Sequence, residues 1–128
     1  MEQTKPDLID SLLRQVAAAL ERVIAKSTPL SSELSVSAEE RRDRLDVICM
    51  QCLAIGEAIK WLDRMSQGTL FSPFPSVDWK GAMGFQDVIA HQYFDLDEEL
   101  VLLICEQSIP RVYEAILQIQ RDRSALTE

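Results

Sequence analysis

Apolar residues fall at Leu8, Ile9, Leu12, Leu13, Val16, Leu20, Val23 and Ile24. That spacing lays a single stripe along a helix, and it predicts one from Pro6 to about Lys26, with Pro6 suited to the first turn. Ser27 to Ser35 holds four serines, Thr28 and Pro29 and reads as a loop. Ser37 followed by Glu40 is a capping box and predicts the start of a second helix. Its apolar positions run through Leu45, Ile48, Cys49, Cys52, Leu53, Ile55, Ile59 and Leu62 to about Ser66. Gln67 to Ser76, with Gly68, Pro73 and Pro75, breaks the pattern, and Phe71 and Phe74 inside it are expected to pin that loop to the core. Asp78 is a suitable cap for a third helix from Trp79 to about Tyr93. A fourth starts at Asp95 or Asp97 and carries Leu100, Val101, Leu103, Ile104, Val112, Ile116 and Ile119, with a kink at Pro110. No strand pattern and no internal repeat interrupts this order. The expectation is an all-α chain, an up-down four-helix bundle in one domain over residues 1–128.

Composition narrows the function classes. The 128 residues are 47% hydrophobic and 27% charged, the balance of an ordinary globular protein able to bury a core without a staple. A net charge of -8 argues against a broad basic surface that grips nucleic acid along its length. Any RNA contact has to be a local pocket or to involve a partner. Three cysteines, an odd count, and a polar start from Met1 to Asp7 point to a reducing, cytoplasmic setting. No apolar run approaches the roughly 18 residues of a membrane span.

Two segments carry more than periodicity. One is Gln51-Cys-Leu-Ala-Ile-Gly-Glu-Ala-Ile-Lys-Trp-Leu62. The other runs from Val77-Asp-Trp-Lys-Gly-Ala-Met-Gly-Phe-Gln-Asp through Val-Ile-Ala-His-Gln-Tyr-Phe to Asp97. Together, and in this order, they resemble the HEPN proteins of the HepT-like group, over roughly residues 5–120. The resemblance implies a homodimeric helical bundle with metal-independent endoribonuclease activity and no cofactor. It also implies a place in a type VII toxin–antitoxin system beside a minimal nucleotidyltransferase (MNT-type) antitoxin, which adenylylates a tyrosine of the toxin. The family motif is an Arg, then four to six residues, then a His, with a Tyr two residues on. Carried over, the His is His91, the polar residue after the Arg is Asp87, and the modified tyrosine is Tyr93. The Arg position holds Gln86, so the motif is broken there.

The chemistry explains what that break costs. Cleavage of RNA without a metal proceeds by attack of a ribose 2′-hydroxyl on the adjacent phosphate. It needs an acid or base working near neutral pH and a cation for the phosphoryl oxygens. His91 is the only histidine in the chain and its side-chain type suits the first role. An Arg supplies a planar fork for phosphate. Gln86 donates hydrogen bonds but carries no charge, and losing a preorganised donor costs roughly 10²-fold or more in rate. Asp87 and His91, four apart, share a helix face, so the Asp87 carboxylate is a candidate to orient the imidazole. Gln86 and Tyr93, seven apart, share another line. On a straight helix Gln86 and His91 do not face each other, so a bent helix end or a second chain is needed.

Plainer readings stand beside these. A lone histidine near a helix end is usually structural or simply exposed. Phe94 is expected to be a core aromatic, and Tyr93 is open between core and function. Cys49 and Cys52 form a Cys-x-x-Cys inside a long helix with no second pair, and are expected to be buried helix residues. The run Glu39 to Arg44 reads as a solvated helix start with intrahelical ion pairs, or else Arg41, Arg42, Arg44, Lys60, Arg64 and Lys80 rim an RNA groove. Gln86 is a natural loss of activity, a substitution that relieves toxicity, or part of a site rearranged to work without Arg. The functional alternative is a catalytically inactive HEPN module that binds a nucleotide or presents a helical surface to another protein.

Overall fold

Ser37 accepts the Glu40 N–H at 3.0 Å, and from that cap the chain runs as one helix to Met65. Only half of the capping box forms, because the Glu40 carboxylate turns instead to Arg44, 3.0 Å away on the same helix. A computed structural model describes residues 4–31 and 35–127 and contains five α-helices among them: α1 Lys5–Ser31, α2 Ala38–Met65, α3 Trp79–Gln92, α4 Glu98–Gln107 and α5 Ile109–Thr127. A single 3-10 turn, Tyr93–Asp95, joins α3 to α4. No strand occurs among the described residues.

Four helical layers pack together, since α4 and α5 are one rod broken at Ser108. Pro110 has no N–H to offer the preceding turn, so the expected kink appears as this break. Ser108 itself keeps right-handed helical dihedrals. Arg44 donates to the Lys26 carbonyl at 3.3 Å, and Arg123 pairs with Asp10 at 2.6 Å. Tyr113 donates to Glu21 at 2.5 Å. These ties run α2 and α5 antiparallel to α1, which is the up-down arrangement. Helix α3 lies on α2, and α1 packs against α2, α4 and α5. The core between them is fully closed around Leu13, Leu20, Ile48, Ile59, Leu62, Ile89 and Ile116.

Two boundaries differ from expectation. Helix α1 does not stop at Lys26 but continues through Pro29 to Ser31. Leu30 and Ser27 are buried, and that packing holds a last turn which composition alone reads as loop. Residues 32–34 of the expected loop lie outside the described residues. Helix α3 ends at Gln92, with Tyr93 already in the 3-10 turn. The Gln67–Ser76 loop behaves as read: Phe71 is buried and stacks on Trp79 at 4.2 Å, and Trp79 donates to the Phe74 carbonyl at 3.0 Å. After the Ser66 cap, Gln67 at φ 54° and Gly68 at φ 79° are both left-handed and end α2, and only at Gly68 is there no Cβ to oppose it.

Candidate active site on helices 2 and 3

Asp78 caps α3 by accepting the Gly81 N–H at 2.9 Å. A side chain at Gly81 would collide with that carboxylate, so the Asp-Trp-Lys-Gly run is what lets the cap close. The helix then lays Ala82, Phe85, Gln86 and Ile89 toward α2. Its closest approach is at Gly56: a Cβ there would stand 2.7 Å from the Gln86 Cβ. The two segments that carry the resemblance are therefore packed on each other through a glycine and a glutamine.

Gln86 is half-buried at this contact. Its Nε2 donates to the Glu57 carboxylate at 2.8 Å, while its buried Oε1 has no hydrogen-bond partner among the described residues. Tyr93 also faces α2, and its hydroxyl donates to Asp46. That hydrogen bond is the main reason the phenol is held above its ordinary pKa. The shared line of Gln86 and Tyr93 is thus the α2-facing line.

His91 lies on the opposite, exposed side of α3. Its Nδ1 is 2.8 Å from the backbone carbonyl of Asp87. A carbonyl only accepts, so Nδ1 is the nitrogen that donates here, and in the neutral ring the lone pair is on Nε2. The Asp87 carboxylate is drawn to Lys60, 3.6 Å away on α2, so in this structure the ring meets the main chain of Asp87 rather than its side chain. Helix α3 runs unbroken through His91 to Gln92, so helical spacing alone does not bring Gln86 and His91 face to face.

Other expectations divide. Phe94 is 98% exposed rather than a core aromatic, because it sits on the short 3-10 turn, whose exit to Leu96 and α4 turns it out of the bundle. Cys49, Cys52 and Cys105 are free and buried. Among the basic residues, Arg41 pairs with Glu98, Arg44 with Glu40 and Lys60 with Asp87. Arg64 rests over the Trp61 ring at 5.5 Å. That leaves Arg42, Arg64 and Lys80 of this set without an ion pair among the described residues. Sequence reasoning missed Asp46 and gave Glu57 no role. The available signal was an acid set beside the buried positions of α2 at a whole number of turns from Glu57.

No group of acidic, cysteine and histidine side chains suited to a metal occurs among the described residues. No described helix is long and apolar enough to cross a membrane. No solved structure matches the chain. A protein of Methanocaldococcus jannaschii named "Putative RNase MJ1380" is 27% identical over 62 residues, which cover 48% of this chain and 53% of that protein. The chain thus spans about half the length of this relative. The family described as "Ribonuclease HepT-like" matches residues 17–119, nearly the whole bundle, and the chain belongs to that family.

Proposed function

We propose that the chain is the HepT-like toxin of a type VII toxin–antitoxin pair: an endoribonuclease built on His91, weakened by Gln86, and silenced when a nucleotidyltransferase adenylylates Tyr93. The observation that carries this reading is the imidazole of His91. It is exposed, fixed through Nδ1, and left with an Nε2 lone pair able to take the proton of a ribose 2′-hydroxyl. Gln86 faces Glu57 on α2 and carries no charge, so position 86 offers the phosphoryl oxygens no charged partner.

A second copy of the chain is part of the proposal. Val88 shares the exposed side of α3 with His91, and Leu100 and Leu103 are exposed on α4. On α2 the exposed large apolar residues are Met50 and Trp61, well separated along the helix. This favours α3 and α4 over the long second helix as the seam. A dimer through that seam brings two His91 faces and the basic residues of both chains to one RNA strand. Three buried free thiols are in keeping with a cytoplasmic protein.

The test is RNA cleavage by three purified proteins: this sequence, Gln86→Arg, and Gln86→Arg with His91→Ala. The expected order is weak, restored by roughly 10²-fold, and abolished. The Gln86–Glu57 hydrogen bond favours one competing reading, a HEPN module that binds nucleotide or protein without cleaving. That reading takes over if none of the three proteins cuts RNA.

A further inference from the structure

We propose that the cleft beside Tyr93 is a nucleotide-acceptor site in which Asp46 takes the proton of the Tyr93 phenol and Arg42 holds the phosphodiester formed there. The inference rests on the reading of Tyr93 as the adenylylated residue and adds the groups that make it a competent acceptor. Tyr93 is 44% exposed, so its oxygen is reachable by another enzyme, and it already donates a hydrogen bond to Asp46. Asp46 and Arg42 are four apart on α2 and share a face. Both line a cleft of about 620 Å³ with Leu45, Tyr93, Phe94 and Val101, within the size range of small-molecule sites.

The division of labour follows from the partners. Arg41, at the same cleft, is engaged by Glu98, whereas Arg42 has no ion pair among the described residues. Phe94 meets Tyr93 edge to face at 5.7 Å and is otherwise open to solvent, a platform on which a purine can stack. In the reaction the phenol oxygen attacks the α-phosphorus of ATP. A new P–O bond forms, the bond to the bridging oxygen breaks, and pyrophosphate leaves with that electron pair. The phenol proton passes to the Asp46 carboxylate and then to water, the role an aspartate plays toward a substrate hydroxyl in kinases. The diester carries one negative charge, which Arg42 neutralises and which Asp46 alone would repel.

The charged and titratable groups facing Tyr93 are Asp46, Arg42 and Cys49 on α2, with the Arg41–Glu98 pair along the same cleft. The experiment follows intact mass during incubation with a minimal nucleotidyltransferase of the class proposed as partner and Mg·ATP, from pH 6 to 9, for the unmodified sequence, Asp46→Asn and Asp46→Glu. The expected result is a flat pH profile for the first, and a rate at pH 7 about 10²-fold lower for Asp46→Asn. The Asn variant should also speed up roughly tenfold per pH unit as free phenolate appears. Asp46→Glu, which retains a carboxylate, keeps the flat profile. Arg42→Gln is expected to remove the rise in melting temperature that adenylylation gives the unmodified sequence. If Asp46→Asn is modified as fast and with the same profile, the acceptor role is overturned while Tyr93 remains the modified residue. If adenylylation gives no rise in melting temperature, the Arg42 role is overturned. If the unmodified sequence gains no mass, both this inference and the reading beneath it fall.

Discussion

Gln86 gives its Nε2 hydrogens to the Glu57 carboxylate at 2.8 Å and leaves its own carbonyl oxygen buried without a hydrogen-bond partner among the described residues. A donor-only side chain suits that place better than an amide, because Glu57 only accepts and an unpaired buried acceptor costs about 1–3 kcal/mol. A guanidinium at position 86 would find an acceptor in Glu57 and leave no orphaned oxygen.

The first consequence concerns stability. Gln86→Arg should raise the melting temperature by a few degrees, about 1 kcal/mol, by pairing with Glu57 and removing the orphaned oxygen. Glu57→Ala in the Arg background should cancel the gain, and a double-mutant cycle by thermal denaturation measures the coupling. A Gln86→Arg protein that melts lower than the parent would mean that Glu57 is no partner for a guanidinium.

Gly56 sets how closely α3 can lie on α2. Gly56→Ala places a Cβ 2.7 Å from that of Gln86, and both helices are too well packed to give way freely. The expected cost is about 1–3 kcal/mol. Gln86→Gly removes the opposing Cβ at about 1 kcal/mol of helix propensity. The double variant should therefore be less destabilised than the sum of the two singles, as read by urea denaturation.

Much of this arrangement was legible in the sequence because it follows from local chemistry. The caps Ser37, Asp78 and Asp97 each accept main-chain N–H groups of the helix they begin, and Gly68 and the prolines mark the breaks. The shared line of Gln86 and Tyr93 follows from helix period alone. What was hidden depends on a second element. Pro29 stays helical because Leu30 is buried, Asp87 turns away from His91 because Lys60 of α2 is within reach, and Phe94 projects because the 3-10 turn re-aims it. Asp46 and Glu57 acquire meaning only when α3 is laid antiparallel on α2.

If the exposed apolar residues of α3 and α4 form the seam of a dimer, a charge there should split it. Leu103 is 47% exposed and lies one turn from Leu100, so Leu103→Glu should leave the fold intact and shift the protein to monomer in sedimentation. The same change in the Gln86→Arg background should abolish restored RNA cleavage. Trp61→Glu on α2 should do neither, and dissociation by Trp61→Glu alone would move the seam to the second helix.

The three buried thiols give the bundle an alkaline limit. Burial raises Cys49 and Cys52 and pushes Cys105 up to about 11, against 9.0 for a free thiol, with the Ser27 hydrogen bond pulling Cys105 the other way. The folded-state values lie above the unfolded ones, so the unfolded chain loses its thiol protons first as pH rises. Their contribution is therefore fully present below about pH 9 and is lost as pH climbs through the folded-state value for Cys105. Melting temperature should stay level through neutral pH and fall steeply from pH 9 toward 11. Cys105→Ala should start lower, from the lost packing, but fall less over the same range. Tyr93→Phe should leave the slope close to that of the parent, since Tyr93 is exposed and its hydrogen bond to Asp46 is screened by water. An equal slope in the Cys105→Ala protein would place the alkaline transition on groups other than the buried thiols.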